Sequence, residues 1–220
     1  MQADPERALA LDYAPVAARA ALHALFALDD ALAQVLRTTT EPVIGQMRLV
    51  WWHDAVARLD DAPPPAQPVL AALAEHVLPR GITGVTLAEI VTGWEALIES
   101  EHVDAAAMHV HAEERGARLF TAAATVLKCA DARARAAGRG WAFADLSRHL
   151  RDAGAAREAR TLAATELAGA FAGVWPASLR SLGALALLAR MNLAVPSDVP
   201  IPIGAPRRVA RLMAHRLLGR

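Results

Sequence analysis

Alanine recurs through almost every segment of this chain, while strand-forming residues are scattered and show no sustained alternation with polar ones. That combination limits the fold more than any single motif does. Alanine is the best helix former because it loses no side-chain entropy, whereas a pleated sheet draws on β-branched and aromatic residues. Apolar residues reach 55% of the chain while aromatic residues are only 5%. The chain therefore reads as all-α. Its 220 residues are enough for one domain with a sizeable core.

Breakers and caps divide it into around nine helices. Asp4 is an N-cap with Pro5 at the first helical position. After Pro15 a long helix runs to about Arg37, its apolar side built from Val16, Leu22, Leu25, Phe26, Leu28 and Leu32. Thr38-Thr39-Thr40 ends it. Thr40 then caps a helix that carries Met47, Val50, Trp51, Trp52 and Val56 and stops before Pro63-Pro64-Pro65. Further helices are predicted over 67–77, 86–99, 112–130, 138–153, 156–172, 176–193 and 205–218. Thr86 and Glu89 form a capping-box pair, and Gly154 sits where a helix C-cap is expected. Val195 to Ile203 is broken by prolines and reads as a loop. With no repeat and no low-complexity linker, residues 1–220 are one domain.

Charge excludes a general nucleic-acid binder: 23 basic and 23 acidic residues leave no basic excess. The single cysteine, Cys129, permits no internal disulfide framework and fits a reducing cytoplasm as a small buried apolar residue. Met1 to Glu6 lacks the basic-then-apolar order of a signal peptide, and no apolar run reaches the ~18 residues of a bilayer span. The expected location is the cytoplasm, with membrane association through the C-terminal helix. There Arg207, Arg208, Arg211, Arg216 and Arg220 stand against Val209, Leu212, Met213 and Leu217. Such a helix either touches anionic lipid or docks on the domain with its cations near its C-terminus.

Two helices carry acids that suit chemistry. Asp29 and Asp30 are adjacent on the long second helix. Paired carboxylates can hold Mg²⁺ against a diphosphate, because this hard cation takes oxygen ligands; equally they form a solvated acidic patch. On the helix predicted over 138–153, Asp145, His149 and Asp152 are spaced i, i+4, i+7 with Arg148 beside them. That stripe is either the edge of a polar cavity or a local ion pair of Asp145 with Arg148 or His149. His109-x-His111, followed by Glu113 and Glu114, has the residue types of a metal cluster, but on a helix the two histidines face apart, and a loop beside a helix start is the simpler reading. Trp51 and Trp52 point about 100° apart on a helix, so one should be buried and the other near a rim.

The segments Asp29-Asp30 and Met47-Arg48-Leu49-Val50-Trp51-Trp52 resemble the start of the squalene/phytoene synthase family. Leu146-Ser147-Arg148-His149-Leu150-Arg151-Asp152 resembles its second aspartate-rich motif, and Gly93-Trp94-Glu95-Ala96-Leu97-Ile98 and Glu114-Arg115-Gly116-Ala117 its central helices. The resemblance implies an all-α bundle of the isoprenoid synthase type, with two acidic helices facing each other across a prenyl cavity. It places Asp29, Asp30, Arg48, Asp145, Arg148, His149, Arg151 and Asp152 on the diphosphate side, and Asp29, Asp30 and Asp152 as Mg²⁺ ligands if the chain is an enzyme. The motifs are incomplete. Ala33 stands at a ligand position of the first, and Arg148 and Ala156 replace an Asn and the last Asp of the second. A second register, through Leu32-Ala33-Gln34-Val35 and Ile44-Gly45-Gln46-Met47-Arg48-Leu49, resembles the non-catalytic branch represented by complex I assembly factor 6.

The leading expectation is thus a catalytically degenerate protein without a cofactor that binds an isoprenoid or prenyl diphosphate ligand, or a complex I subunit. The alternatives are a Mg²⁺-dependent prenyltransferase and a scaffold whose cavity is filled by side chains such as Phe143.

Overall fold

In the computed structural model of the chain, the described residues are 4–98 and 103–220, and among them every regular element is helical. The order is α1 (Pro5–Leu11), α2 (Val16–Thr38), α3 (Pro42–Ala57), α4 (Pro68–His76), α5 (Gly84–Ile98), α6 (Ala105–Val110), α7 (Arg118–Val126), α8 (Ala132–Leu146), α9 (Ala153–Ala170), α10 (Arg180–Leu193) and α11 (Pro206–Leu218). A π-helical stretch, His111–Ala117, joins α6 and α7 into one continuous rod. His109 and His111 are therefore helical, not part of a loop.

Several boundaries follow the capping chemistry. Asp4 accepts from the backbone N–H groups of Glu6 and Arg7 at the start of α1. At α5 the capping role expected of Thr86 and Glu89 falls elsewhere. Thr83 Oγ1 accepts from Thr86 N at 3.1 Å, and the Asp60 carboxylate takes the N–H groups of Gly84 and Val85 at 2.6 and 3.0 Å. The helix expected over 138–153 is in fact two. α8 starts earlier, capped by Asp131, and ends at Leu146, where the Ser147 hydroxyl turns back to Ala144 O at 2.8 Å. Asp152 then N-caps α9 by accepting from Ala155 N at 2.7 Å, and Gly154 lies in the first turn of α9 instead of ending a helix.

α2 lies at the centre and packs on α3, α4, α5 and α7, with Leu22, Leu25, Phe26, Leu28 and Leu32 buried. α8 packs on α9, α10 and the π-helical stretch. Phe26, Phe120 and Trp141 meet in the interior with ring centroids 5.6–6.0 Å apart. Phe143 is fully buried against His109. On α3, Trp52 is 8% exposed and Trp51 48%, as their angular offset requires. Val43, Ile44, Met47 and Val50 of the same helix are also exposed. No helix among the described residues is long and apolar enough to cross a membrane.

Candidate functional site

The site is organised by a residue whose role the sequence did not reveal. Arg115 projects from the π-helical stretch into the space between α2 and α8. A π turn inserts a residue into the helical register, re-aiming its side chains, and such turns are frequent at functional positions. Close backbone packing fixes the rod there. A Cβ on Gly93 of α5 would sit 2.5 Å from Arg115 N, and one on Gly116 would sit 2.2 Å from Gly138 O of α8.

Arg115 Nε and Nη2 donate to Asp29 Oδ1 and Oδ2 at 2.7 and 3.0 Å, and Nη1 donates to Asp145 Oδ2 at 2.7 Å. The guanidinium lies between the rings of Trp94 and Trp141, 4.1 and 4.4 Å from their centroids. Trp94 Nε1 donates to Asp29 Oδ1 at 3.2 Å. His111 Nδ1 donates to Gly93 O at 2.6 Å, which leaves Nε2 to accept from Arg115 Nη1 at 3.2 Å. Arg115 and Asp29 are both buried, so this is an interior ion pair with its donors and acceptors matched.

The electrostatics follow from that geometry. Burial disfavours a charged His111, the adjacent Arg115 cation adds to the effect, and its pKa drops to about 4, so it is neutral near pH 7. Burial alone would lower the Arg115 pKa, but Asp29 and Asp145 more than offset it and raise it. Burial would raise the Asp145 carboxyl, yet Arg115, with His149 and His111 behind it, holds it below the usual carboxylate value.

Outside this cluster lies a polar cavity of about 380 Å³. Asp29, Asp30, Asp145, Arg148 and His149 all line it, together with Asp4, Arg7, Arg37 and Ala33. Asp30 faces the rim and takes Arg7 Nη1 at 2.6 Å. Arg148 Nη2 donates to Val199 O at 2.8 Å and ties the loop before α11 to the end of α8. His149 Nδ1 donates to Asp145 O at 2.8 Å. Arg151 and Asp152 do not line this cavity. Because α8 ends at Leu146, they turn into a neighbouring cavity of about 850 Å³, with Leu36, Pro42, Leu97, Ile98, Val103 and Leu150 as its apolar wall. His149 lines both cavities. Arg48 reaches neither; its Nη1 donates to the hydroxyls of Thr38 and Thr39 at 3.1 and 2.8 Å and ties α3 to the end of α2.

The donor set does not fit Mg²⁺. Both Asp29 oxygens accept hydrogen bonds and Asp145 Oδ2 is held by the same guanidinium, so a cation there would have to displace a buried arginine. Asp152 caps α9 through Oδ1 and lines the neighbouring cavity, apart from Asp29 and Asp145. Among the described residues no group of three or more His, Cys, Asp or Glu side chains is placed to hold a metal ion.

The all-helical bundle is consistent with the fold of the isoprenoid synthases. The family model described as squalene/phytoene synthase matches residues 1–191, and the chain belongs to that family. Neither the curated proteins nor the solved structures give a match.

Proposed function

We propose that this protein is a non-catalytic member of the squalene/phytoene synthase family that binds an anionic isoprenoid-type ligand without metal. The observation that carries this reading is the Arg115 guanidinium bridging Asp29 and Asp145. It is a permanent cation at the place where the family's chemistry needs Mg²⁺ between carboxylates. A fixed guanidinium can hold carboxylates or a phosphate but cannot act as the exchangeable Lewis acid that ionises a diphosphate. The interior next to it is occupied by Trp94, Trp141, Phe26 and Phe120, which leaves little room for a prenyl chain to run inward from Asp29. The larger apolar-walled cavity, which shares His149 with the polar one, offers room for a chain instead. The resemblance through Leu32-Ala33-Gln34-Val35 and Ile44 to Leu49 supports a role in respiratory complex I assembly, with the exposed apolar face of α3 as the surface for a protein partner.

The test is calorimetry and pyrophosphate release with farnesyl and geranylgeranyl diphosphate, with Mg²⁺ and with a chelator. The expected result is binding that survives the chelator and no release of pyrophosphate. A second reading, a Mg²⁺-dependent prenyltransferase, draws on the partial exposure of the Asp30 and Asp145 side chains, 44% and 37%. Mg²⁺-dependent turnover abolished by Asp145→Asn would establish that reading and overturn ours.

A further inference from the structure

α11 lies outside the residues that the family model matches, and its two faces are built for different surroundings. The inner face docks on the domain. Arg208, Leu212 and His215 are buried, and Arg208 Nε and Nη2 grip the Glu6 carboxylate of α1 at 3.0 and 2.7 Å. Arg180 Nη1 donates to the carbonyls of His215 and Arg216, both at 2.8 Å, and so fastens the last turn. The outer face has an apolar centre and cationic flanks. Met213, Leu217 and Leu218 are 58%, 77% and 63% exposed. At 100° per residue, Ala210, Met213, Ala214 and Leu217 fall along the middle of that face. Arg207 and Arg211 fall on one side of it, and Arg216, whose guanidinium lies 5.2 Å over the Tyr13 ring, on the other.

From Val199 to Arg220 the sequence contains no Asp or Glu, and Glu6, which pairs with Arg208, does so on the buried side. An exposed apolar strip flanked by arginines matches the interface of an anionic bilayer, where the apolar side chains sink to the acyl boundary and guanidinium groups meet lipid phosphates. We infer that the outer face of α11 is a docking surface for an anionic membrane. Its helix is already folded and anchored through Glu6 and Arg180, so binding does not have to order it. This inference stands apart from the ligand in the cavity.

The test is flotation of the full chain with phosphatidylcholine vesicles, alone and carrying about one-third phosphatidylglycerol, at low salt and at about 0.5 M, where surface charges are largely screened. We expect binding to the anionic vesicles only, lost at high salt. Arg207→Gln with Arg211→Gln should weaken it ~30-fold, from about 1 kcal/mol per basic residue at the surface. Met213→Ser with Leu217→Ser should also weaken it, while Arg135→Gln with Arg157→Gln, which removes the same charge elsewhere, should leave it unchanged. All these positions are exposed, and a melting curve for each variant shows that it is folded. No binding to anionic vesicles at low salt would overturn the inference. So would equal loss from the Arg135 and Arg157 pair, or indifference to the Met213 and Leu217 pair, since either would mean that adsorption is electrostatic and does not use this face.

Discussion

Arg115 and Asp29 lie 86 residues apart in sequence and meet through two hydrogen bonds, Nε to Oδ1 at 2.7 Å and Nη2 to Oδ2 at 3.0 Å, in the interior of the bundle. A buried pair of this kind contributes modestly to net stability, but removing one partner strands the other charge without water. Arg115→Met should therefore destabilise the protein by about 3–5 kcal/mol in chemical denaturation. Combining it with Asp29→Leu should restore a large part of that loss, because an apolar pair of similar bulk needs no desolvation of charge. If the double variant is no more stable than Arg115→Met alone, the loss lies in the packing between Trp94 and Trp141, and the charge argument is wrong.

The neutral state of His111 predicts a pH dependence. Its folded pKa, about 4, lies below the ordinary 6.5, so the unfolded chain takes up a proton more readily than the folded one between those values. Stability from this group is fully present above about pH 6.5 and is lost as the pH falls toward 4, by about 3 kcal/mol in all. His215, whose pKa is also lowered by burial, adds to the same trend. Below that window Asp145, held low chiefly against its own burial by Arg115, begins to contribute acid lability of its own. Unfolding followed from pH 7 to 4 should show the slope, and His111→Gln should flatten it without abolishing it. A variant with the full slope would mean that His111 is not the group responsible.

Trp51 and Trp52 touch edge to face at 5.3 Å, yet only Trp52 is buried. Trp52→Ala should cost about 3–5 kcal/mol, as a large aromatic truncated in a packed interior does. Trp51→Ala should cost less than about 1 kcal/mol, because its loss opens no cavity. Denaturant midpoints measured on both variants decide this, and equal losses would show that the two rings act as one packed unit.

The parts of this molecule that could be read from sequence were those with a local cause. Alanine content gave the all-helical class, the adjacent carboxylates marked α2, and the offset of two neighbouring tryptophans separated a core residue from a rim residue. What could not be read depended on distant partners. Arg115 carries no local mark of burial; it is tolerated only because Asp29 and Asp145 arrive from α2 and α8, and because a π turn aims it at them. The break after Leu146 was hidden because no proline or glycine stands there. Ser147 and the Asp152 cap supply it, while Gly138 and Gly140, which look like a boundary, lie inside α8 and serve its close contacts with Gly116 and Leu167. That displaced break is why Asp145 and Asp152, placed on one helical face by spacing alone, line different cavities.

The link between the two ends of the described fold gives the last prediction. Glu6 is buried on α1 and takes Arg208 Nε and Nη2 of α11 together with Gly204 N at 2.9 Å. Burial works against its charge, but Arg208 and the Gly204 amide prevail and hold its pKa below the usual value. Glu6→Gln leaves Arg208 buried without a counter-charge and should cost about 3 kcal/mol or more. α11 buries only one stripe, so the loss should be felt first as opening of that helix, not as collapse of the bundle. Hydrogen exchange should therefore speed up over 206–218 while the amides of α2 and α8 stay protected. The stability this pair contributes is full above the ordinary carboxylate pKa and is lost as the pH falls through the lowered folded value, so the unsubstituted protein should show the same selective opening of α11 in acid. Uniform acceleration across α2, α8 and α11 would mean instead that α11 is part of the cooperative core.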